Sequence, residues 1–328
     1  MSFPFSGRPV LVTGGAGFIG SHVADALVAE GCHVHVLDDL SGGYRANVPD
    51  AATLHEIDVR DADAVAALFA EQRFAAMCHL AAQMDVRKSV ADPAFDARVN
   101  VLGLLNLMEA GRENGLEKVA FASTGGAIYG ESDPSVNGGE SQPESHPTRP
   151  LSPYGITKLV SEHYLRFYES THGVPFAALR FGNVYGPRQN PHGEAGVVAI
   201  FAQRMLRGEP VRINGDGLQT RDYVYVGDVV RAFVAGLAHD GSGIYNVGTG
   251  VETNVVELFR HIRDATGADV PETHGDAMPG EQMRSVLDVS LAKEALSWTP
   301  QVEVADGLKR TVDWFKGKDE GRGTEDER

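Results

Sequence analysis

Two side chains in the middle of the sequence have the types and the spacing for acid–base chemistry. Tyr154 precedes Lys158 by four residues, so on a helix the phenol and the ammonium lie one above the other on the same face. A phenol has a reference pKa of about 10 and acts as a base at neutral pH only beside a cation that stabilises phenolate. Lys158 can provide that cation, although an ordinary helix surface also produces such pairs. The pair therefore needs support from other residues.

Hydroxyl groups that could assist the pair lie at the end of a short apolar run. The run at residues 119–123 is typical of a strand, and it ends in Ser123 and Thr124. Open α/β sheets bind ligands at the carboxyl ends of their strands. The sequence therefore predicts a second polar part of the same site at this strand end.

A glycine-rich string follows the first predicted strand and opens the first predicted helix. Gly14, Gly17 and Gly20 are spaced as in a phosphate-binding turn, with one residue more than the pattern G-x-G-x-x-G. Glycine permits a sharp turn, a close approach of the backbone to a pyrophosphate, and tight packing of helix on strand. Glycine turns are common in other contexts, but this context favours a dinucleotide. The pattern G-x-x-x-x-G-K-[ST] of nucleotide hydrolases does not occur in the sequence.

An acidic residue stands where a dinucleotide site needs one. Asp38 ends the second predicted strand, about 20 residues beyond the glycines, where a carboxylate can bind the adenosine ribose and repel a 2′-phosphate. This position favours NAD over NADP. The alternative is that Asp38 and Asp39 only cap the turn at residues 40–43, which is a common role of Asp after a strand.

The elements that must position these residues alternate regularly through the first part of the chain. The sequence predicts strands at residues 10–12, 32–37, 54–59, 77–81, 119–123 and 176–181. Helical patterns lie between them at residues 18–30, 62–72, 99–114 and 154–172. Strands separated by helices indicate right-handed crossovers and a parallel sheet that is covered on both faces. The fold class is therefore α/β, a Rossmann-type doubly wound parallel sheet with a smaller mixed C-terminal substrate lobe.

The rhythm changes after about residue 181, which suggests a division of the chain. Residues 1–181 are expected to form the dinucleotide-binding domain, with later segments returning to it. Residues 182–315 are expected to form the interleaved substrate lobe. Residues 316–328 are charged and lack apolar periodicity, so the sequence predicts a disordered tail there.

Composition excludes several classes of function. The chain has 328 residues and a formal net charge of −16, which disfavours binding to nucleic acids or to anionic membranes. It has no long apolar run and no pattern of a signal peptide, so we expect a cytoplasmic protein. Two cysteines, Cys32 and Cys78, exclude a disulfide scaffold. The histidines do not form a metal-binding pattern, so no metal site is predicted.

Taken together, these motifs identify a family resemblance over about residues 9–315. The matching strings are L-V-T-G-G-A-G-F-I-G-S-H (11–22), H-L-A-A-Q (79–83), S-T-G-G-A-I-Y-G (123–130), S-P-Y-G-I-T-K (152–158), L-R-F-G-N-V-Y-G-P-R (179–188), G-D-G-L-Q-T-R-D-Y-V-Y-V-G-D-V (215–229) and P-G-E-Q-M-R-S (279–285). The chain resembles the extended short-chain dehydrogenase/reductase family, and within it the sugar-nucleotide epimerases. The resemblance implies NAD-dependent 4-epimerisation of a UDP-sugar through a transient 4-keto intermediate. The substrates implied are UDP-glucose and UDP-galactose.

The resemblance also implies roles for individual residues. The cofactor-binding residues would be Gly14, Gly17, Phe18, Ile19, Asp38, Leu40, Ser41, Gly42, Gly43, Asp58, Val59, Leu80, Ala81, Ala82, Gln83, Asn100, Tyr154 and Lys158. Tyr154 would be the base, Lys158 its cation, and Thr124 the hydroxyl that orients the sugar 4-hydroxyl. The loop after Phe121 is one residue longer than in the best-known epimerases, so Thr124 is chosen over Ser123 by counting from Phe121. The substrate-binding residues would be Thr124, Asn183, Arg221, Arg284 and Ser285.

Three alternatives stay open from the sequence. The first is another NAD-dependent UDP-sugar epimerase, the second is net oxidation or reduction of a sugar nucleotide, for example UDP-glucuronate, and the third is an NAD-binding sensor without catalysis. Dehydration is disfavoured because Gly125 and Gly126 stand where the related dehydratases carry Asp and Glu.

Met278 stands where relatives usually carry a basic residue that faces the diphosphate. Ser285 aligns with the position beside the sugar's 2-substituent, so a small side chain there leaves room for UDP-N-acetylglucosamine.

The assembly is also an expectation from the resemblance. In this family the helix that carries the tyrosine and the lysine forms a two-fold interface, and Tyr164, Phe167 and Tyr168 lie on this helix. A homodimer is therefore expected.

Overall fold

The computed structural model describes residues 3–131, 139, 141–191, 196–277 and 282–322. Its strands are β1 (Pro9–Thr13), β2 (His33–Leu37), β3 (Thr53–His55), β4 (Ala76–His79), β5 (Lys118–Thr124), β6 (Phe176–Phe181), β7 (Asn183–Tyr185), β8 (Arg212–Asn214), β9 (Thr220–Tyr225), β10 (Gly243–Val247), β11 (Glu252–Asn254), β12 (Thr273–Gly275) and β13 (Arg284–Ser285). In the described part of the chain, seven strands form one parallel sheet in the order β10-β6-β5-β4-β1-β2-β3. The predicted parallel α/β sheet is confirmed.

Helices connect and cover these strands. They are α1 (Phe18–Ala29), α2 (Ala62–Gln72), α3 (Val86–Ala91), α4 (Pro93–Ala97), α5 (Gly103–Glu113), α6 (Gly125–Ile128), α7 (Pro153–His172), α8 (Val197–Leu206), α9 (Val226–Ala238), α10 (Val255–Thr266), α11 (Ser290–Leu296) and α12 (Val304–Arg322). A π-helical turn, Arg98–Leu102, joins α4 to α5. The sequence predicts one helix over residues 99–114, and α3 and α4 are not anticipated by it.

Apolar side chains fill both faces of the large sheet. Along β1, Val10 and Val12 belong to the core cluster on one face, whereas Leu11 belongs to the cluster on the other. Successive side chains of a strand point to opposite faces, so a continuous apolar run is what a doubly covered strand requires. The two helix layers therefore hold the carboxyl edge of the sheet rigidly.

The third strand is shorter than the sequence predicts. It covers Thr53–His55 rather than residues 54–59, because the backbone turns out of the sheet where the Ile57 N–H donates to the His55 carbonyl at 3.0 Å. The apolar run continues past this turn, since Val59 is buried among the helices. Asp58 and Val59 consequently lie at the carboxyl edge of the sheet.

A second set of elements forms the lobe. Strands β7, β9, β11 and β13 make a small sheet with β9 at its centre, and β8 pairs with β12. A third core cluster, which includes Phe201, Phe259 and Phe315, lies among helices α8, α10 and α12. Between β9 and β11 the chain returns to the large sheet, where β10 pairs with β6. The domain boundaries at residues 181 and 315 stay a prediction.

The end of the chain differs from the predicted tail. Helix α12 runs to Arg322, so residues 316–322 are helical, whereas 323–328 lie outside the described residues. Leu308, Val312 and Phe315 are buried, and a helix that is already packed propagates into a polar segment more easily than it nucleates.

Among the described residues, none of the helices combines the length and apolar character needed to cross a membrane.

Candidate active site

A cleft of about 480 Å³ opens at the carboxyl edge of the large sheet. Most of the predicted cofactor-binding residues line it: Gly14, Gly17, Phe18, Ile19, Asp38, Ser41, Gly42, Gly43, Asp58, Val59, Leu80, Ala81, Ala82, Gln83, Tyr154 and Lys158. Residues that lie far apart in the chain are brought together here, because parallel strands end at the same edge of the sheet. The structure thus joins the glycine turn to the tyrosine–lysine pair.

The glycine turn fits a dinucleotide by its shape. Gly14 has a φ of 68°, and a Cβ at this position would lie 2.7 Å from the backbone nitrogen of Ala81. A Cβ at Gly20 would lie 2.1 Å from the carbonyl oxygen of Gly14. Side chains at either position would therefore displace backbone. The turn brings bare main chain to the floor of the cleft, as a pyrophosphate requires.

The first turn of α1 faces the same place. Gly17 is the N-cap residue, and it provides no side-chain hydrogen bond to the helix N-terminus. The first-turn N–H groups and the positive end of the helix dipole favour an anion at this position. Phe18 and Ile19, which carry two of these N–H groups, line the cleft.

Asp38 caps the turn that follows it and also faces the cleft. Its buried carboxylate accepts hydrogen bonds from the Leu40 N–H at 2.9 Å and from the Ala16 N–H at 3.0 Å. The first bond caps the following turn, and the second ties β2 to the glycine turn. Burial raises the pKa of Asp38, and the two backbone N–H groups oppose that rise. Asp38 also lines the cleft, so turn capping and ligand binding are compatible.

Helix α7 presents the tyrosine and the lysine to the cleft. The helix begins at Pro153, and the Ser152 side chain caps it by accepting from the Gly155 N–H. The Lys158 ammonium lies 5.9 Å from the centre of the Tyr154 ring and donates to the Ala122 carbonyl of β5 at 2.8 Å. Burial lowers the pKa of Lys158 to about 8, although nearby carboxylates raise it. The predicted stacking of the two groups on one helix face is present.

Ser123 and Thr124 point to different partners. The Ser123 hydroxyl donates to the Glu162 carboxylate at 2.6 Å and is almost fully buried. Thr124 is half-buried and caps α6, where its hydroxyl oxygen accepts from the Ala127 N–H at 3.2 Å. Ser123 lines the cleft although its hydroxyl is held by Glu162, whereas Thr124 is not among the lining residues. The choice of Thr124 as the residue that contacts the ligand therefore stays a prediction.

A buried histidine that the sequence analysis does not use supports the floor of the cleft. The Thr13 hydroxyl oxygen accepts from the N–H groups of Leu80 and Ala81, both at 3.2 Å, and lies 2.7 Å from His79 Nδ1. Burial lowers the pKa of His79 to about 3. The imidazole is therefore neutral, and the hydrogen bond between its Nδ1 and the Thr13 hydroxyl fixes the backbone beside the glycine turn. The family string at residues 79–83 contains this histidine but does not reveal its partner.

Two predicted cofactor residues do not line the cleft. Asn100 is buried behind it, where its side-chain amide accepts from the Gln83 N–H and donates to the Gln83 carbonyl, both at 2.8 Å. Asn100 therefore positions Gln83, which does line the cleft. Leu40 occupies the turn after Asp38 with a φ of 57°, and its N–H bonds to Asp38.

Apart from Thr124 at the end of β5, the predicted substrate residues lie in the lobe, and they do not form one group. Arg221 of β9 pairs with Ser285 of β13, whereas Arg284 pairs with Thr220. Because neighbouring residues of a strand point to opposite faces, Arg221 and Arg284 lie on opposite faces of the small sheet. Arg284 forms an ion pair with Glu252. The register therefore does not support the expectation that both arginines face one ligand, which stays a prediction.

The other predicted substrate residues of the lobe also lie at different places in the small sheet. Ser285 is buried on the face that Arg221 shares. Asn183 is exposed at the start of β7 and pairs with Tyr223 of β9. Met278 lies outside the described residues.

Sequence reasoning missed two cleft residues in the segment that follows β7. Arg188, with a φ of 67°, donates to the Asp25 carboxylate of α1 at 2.7 Å. The side-chain amide of Asn190 donates to the Tyr44 hydroxyl at 3.2 Å. Both residues line the cleft, so the lobe covers part of the dinucleotide side. The signal in the sequence is the polar Gly-, Pro- and Asn-rich segment at residues 182–193.

The described residues contain no group of three or more His, Cys, Asp or Glu side chains that could hold a metal ion.

Comparison with known proteins identifies the class to which this fold and site belong. Residues 10–248 match the NAD dependent epimerase/dehydratase family. The chain belongs to this family, and its cofactor is NAD. The shape of the glycine turn and the placement of Asp38 fit that cofactor independently.

Three individual proteins are similar to the chain over nearly its whole length. The chain is 46% identical over 314 residues to a UDP-glucose 4-epimerase of Mycolicibacterium smegmatis, covering 94% of this chain and 98% of that protein. The structure of a Thermotoga maritima UDP-glucose 4-epimerase with UDP-glucose is 45% identical, with a TM-score of 0.91 and coverage of 95% and 99%. A Thermus thermophilus UDP-glucose 4-epimerase in complex with NAD is 48% identical, with a TM-score of 0.87 and coverage of 94% and 99%.

Proposed function

We propose that the protein is an NAD-dependent UDP-sugar 4-epimerase that interconverts UDP-glucose and UDP-galactose. The observation that carries the proposal is the single cleft that joins the glycine turn to Tyr154 and Lys158. Relatives similar over nearly the whole chain are named for this reaction. Gly125 and Gly126 carry no titratable group, so the protein lacks an acid–base pair for dehydration at this position.

The chain's own groups perform the proton transfer. Tyr154 as phenolate removes the proton of the sugar 4-hydroxyl, and the Lys158 ammonium stabilises the phenolate. Thr124 holds the 4-hydroxyl in the direction of Tyr154. General-base assistance of this kind accelerates a reaction by roughly 10²–10⁴-fold.

The chemistry that NAD supplies when bound is reversible uptake of the hydride from carbon 4. The turn at Gly14 and Gly17 and the first N–H groups of α1 hold the pyrophosphate. Asp38 and the turn at residues 41–43 hold the adenosine ribose, and Asp58 and Val59 lie beside the adenine. Leu80, Ala81, Ala82, Gln83 and Lys158 hold the nicotinamide half. The 4-keto sugar would rotate within the site and take the hydride back on its other face, while Tyr154 returns the proton to the 4-oxygen. No net oxidation occurs, so the protein keeps its cofactor through each cycle.

One cation and one amide of the lobe bind the diphosphate. Arg221 and Asn183 are proposed to contact it. Arg221 lies on β9, and Asn183 lies on β7, which pairs with β9. Arg284 is held by Glu252 on the other face, so we assign it to support of the small sheet. Ser285 lies beside the sugar, and its small side chain leaves space for an N-acetyl group at carbon 2.

The protein is proposed to act as a homodimer in the cytoplasm. An open apolar groove on α7 is lined by Val160, His163, Tyr164 and Phe167, and a second copy of the helix would cover it. The two cysteines are buried free thiols, which agrees with a reducing compartment.

The test is turnover of a panel of UDP-sugars without any added NAD or reductant. Purified protein is expected to carry NAD and to convert UDP-galactose into UDP-glucose, with the epimers resolved by chromatography. If turnover instead requires stoichiometric reduced cofactor, the protein is a net oxidoreductase.

The variant Tyr154→Phe separates catalysis from binding. It is expected to lower kcat by about 10²–10⁴-fold, the contribution of a general base, with unchanged NAD content. Unchanged turnover in this variant would refute the role of Tyr154, and conversion of none of the UDP-sugars would refute the proposed function.

A further inference from the structure

A buried carboxylate next to the site has no role in the mechanism described so far. Asp96 of α4 is fully buried. It accepts hydrogen bonds from the Thr157 hydroxyl at 2.8 Å, from Gln83 Nε2 at 2.9 Å and from Asn100 Nδ2 at 3.2 Å. All three donors are neutral. Among the described residues, no Lys, Arg or His forms an ion pair with Asp96.

An uncompensated buried charge is costly, so a cation is expected near Asp96. Thr157, which donates to Asp96, immediately precedes Lys158 in the helix. The Lys158 side chain is only 3% exposed, and Asp96 is the first carboxylate whose charge raises the pKa of Lys158 against the effect of burial.

The other charged groups around Lys158 have their own partners. Glu162, one helical turn further along α7, forms a two-bond ion pair with Arg180 of β6, at 2.6 and 2.9 Å. His79 of β4 is neutral, since burial lowers its pKa to about 3. The buried charges therefore divide into two pairs. Glu162 and Arg180 form a direct ion pair, whereas Asp96 and Lys158 share no direct bond, and Asp96 holds α7 through Thr157, the residue before Lys158.

We propose that Asp96 is a positioning residue that keeps Lys158 in its ammonium form and in place beside Tyr154. Its carboxylate reaches the site through two neighbours, the hydroxyl of Thr157 on the helix that carries Lys158 and the amide of Gln83 on the wall of the cleft. Removal of the charge leaves an ammonium buried without its counter-charge, and Lys158 then loses its proton at a lower pH. The cation that stabilises the phenolate is lost at the same pH.

The direct test measures the protonation of Lys158 and does not depend on the proposed function. In protein labelled with ¹³C at lysine Cε, the Lys158 resonance is assigned by its absence in Lys158→Met, and its shift reports protonation of Nζ. In Asp96→Asn, which keeps the shape and removes the charge, the titration midpoint is expected about one pH unit below the wild-type value, the size of effect that a nearby opposite charge produces. An unchanged midpoint overturns the proposal.

A matched control separates charge from loss of packing. Asp228 is equally buried and accepts from the N–H groups of Gln301 and Val302, but it lies at the start of α9 and pairs with Arg231. Asp228→Asn is expected to lower the melting temperature and leave the Lys158 midpoint unchanged. A shift of the same size in Asp228→Asn would also overturn the proposal. If Asp96→Asn fails to fold, Asp96→Ser carries the same expectation.

A kinetic arm, which rests on the proposed epimerase function, measures the consequence for turnover. The alkaline limb of the kcat profile is expected to move down by about one pH unit in Asp96→Asn, with KM for the UDP-sugar unchanged. Asp96→Glu, which restores the charge, is expected to return the limb toward the wild-type position. If the Lys158 titration midpoint shifts but the protein has no epimerase activity, only the proposed function is rejected. If the protein is active and the alkaline limb of its kcat profile does not move, the role of Asp96 is rejected.

Discussion

The cofactor cleft and the small sheet of the lobe hold their functional residues in different ways. In the cleft, residues at or just beyond the ends of β1, β2, β4 and β5 meet residues of α7, because parallel strands end at one edge. In the small sheet, Arg221 and Ser285 share a face only because β13 pairs with β9 in one particular register. A shift of this register by one residue would replace Ser285 by Arg284.

This difference determines how each half of the site responds to substitution. The cleft is built from main chain, so added side-chain volume should harm it most. The small sheet is built from side chains on alternating faces, so the identity and the face of each residue should matter most.

The largest effect is expected from added volume in the cleft. Gly20→Ala places a Cβ where the Gly14 carbonyl oxygen lies at 2.1 Å, and the backbone of the turn must move. Purified variant protein is expected to carry no NAD, measured by absorbance after denaturation. The control is Gly317→Ala on α12, where no atom lies within 4 Å of the added Cβ and NAD content should not change. Full NAD content in Gly20→Ala would show that the turn is not the pyrophosphate site.

The two arginines of the small sheet provide the next test. Arg221→Ala is expected to raise KM for UDP-glucose by about 10- to 100-fold, since a charge-assisted bond to a phosphate contributes about 1.5–3 kcal/mol. Arg284→Ala removes a one-third exposed ion pair with Glu252, and such pairs contribute about 0–1 kcal/mol. Its KM should stay within about threefold. Steady-state kinetics of both variants measure this difference in KM. Equal KM values would contradict the assignment of Arg221 and Arg284 to opposite faces of the small sheet.

The buried lysine gives turnover and stability opposite dependences on pH. The pKa of Lys158 is about 8 in the folded protein, against 10.5 for an exposed lysine. Between these values the unfolded chain binds more protons, so this group's contribution to the unfolding free energy rises with pH. Turnover should fall over the same range, by up to about tenfold per pH unit above pH 8, as the ammonium is lost. Denaturant titrations and kcat profiles from pH 7 to 10 measure both trends, and Lys158→Met should remove this contribution to stability.

The smallest effect is expected at the sugar pocket. Because Ser285 is small, UDP-N-acetylglucosamine should be turned over as well, with kcat/KM within about tenfold of UDP-glucose; tenfold corresponds to about 1.4 kcal/mol. Ser285→Tyr should reduce activity on the N-acetylated substrate more than on UDP-glucose. No product from UDP-N-acetylglucosamine with the wild-type protein would rule out the open pocket.

The sequence predicts the large sheet and most of the cleft because both depend on local patterns. A strand, a glycine turn and a helix follow one another in the chain, and parallel crossovers then bring the strand ends together. The faces of Arg221 and Arg284 could not be predicted, since they depend on a register between strands far apart in the chain. Asp96 could not be recognised either, because the sequence of a helix as short as α4 does not distinguish a buried acid from a surface acid.

One turn of irregular helix has a consequence for how this site tolerates insertions and deletions. The π-helical turn Arg98–Leu102 holds one residue more than an ordinary α-helical turn. One residue inserted after Val101 and wound as regular α-helix would rotate α4 by about 100° relative to α5. Asp96 would then leave Thr157, although no residue that lines the cleft had been altered. The position of Asp96 behind the cleft thus depends on the number of residues between α4 and α5 as much as on their identity.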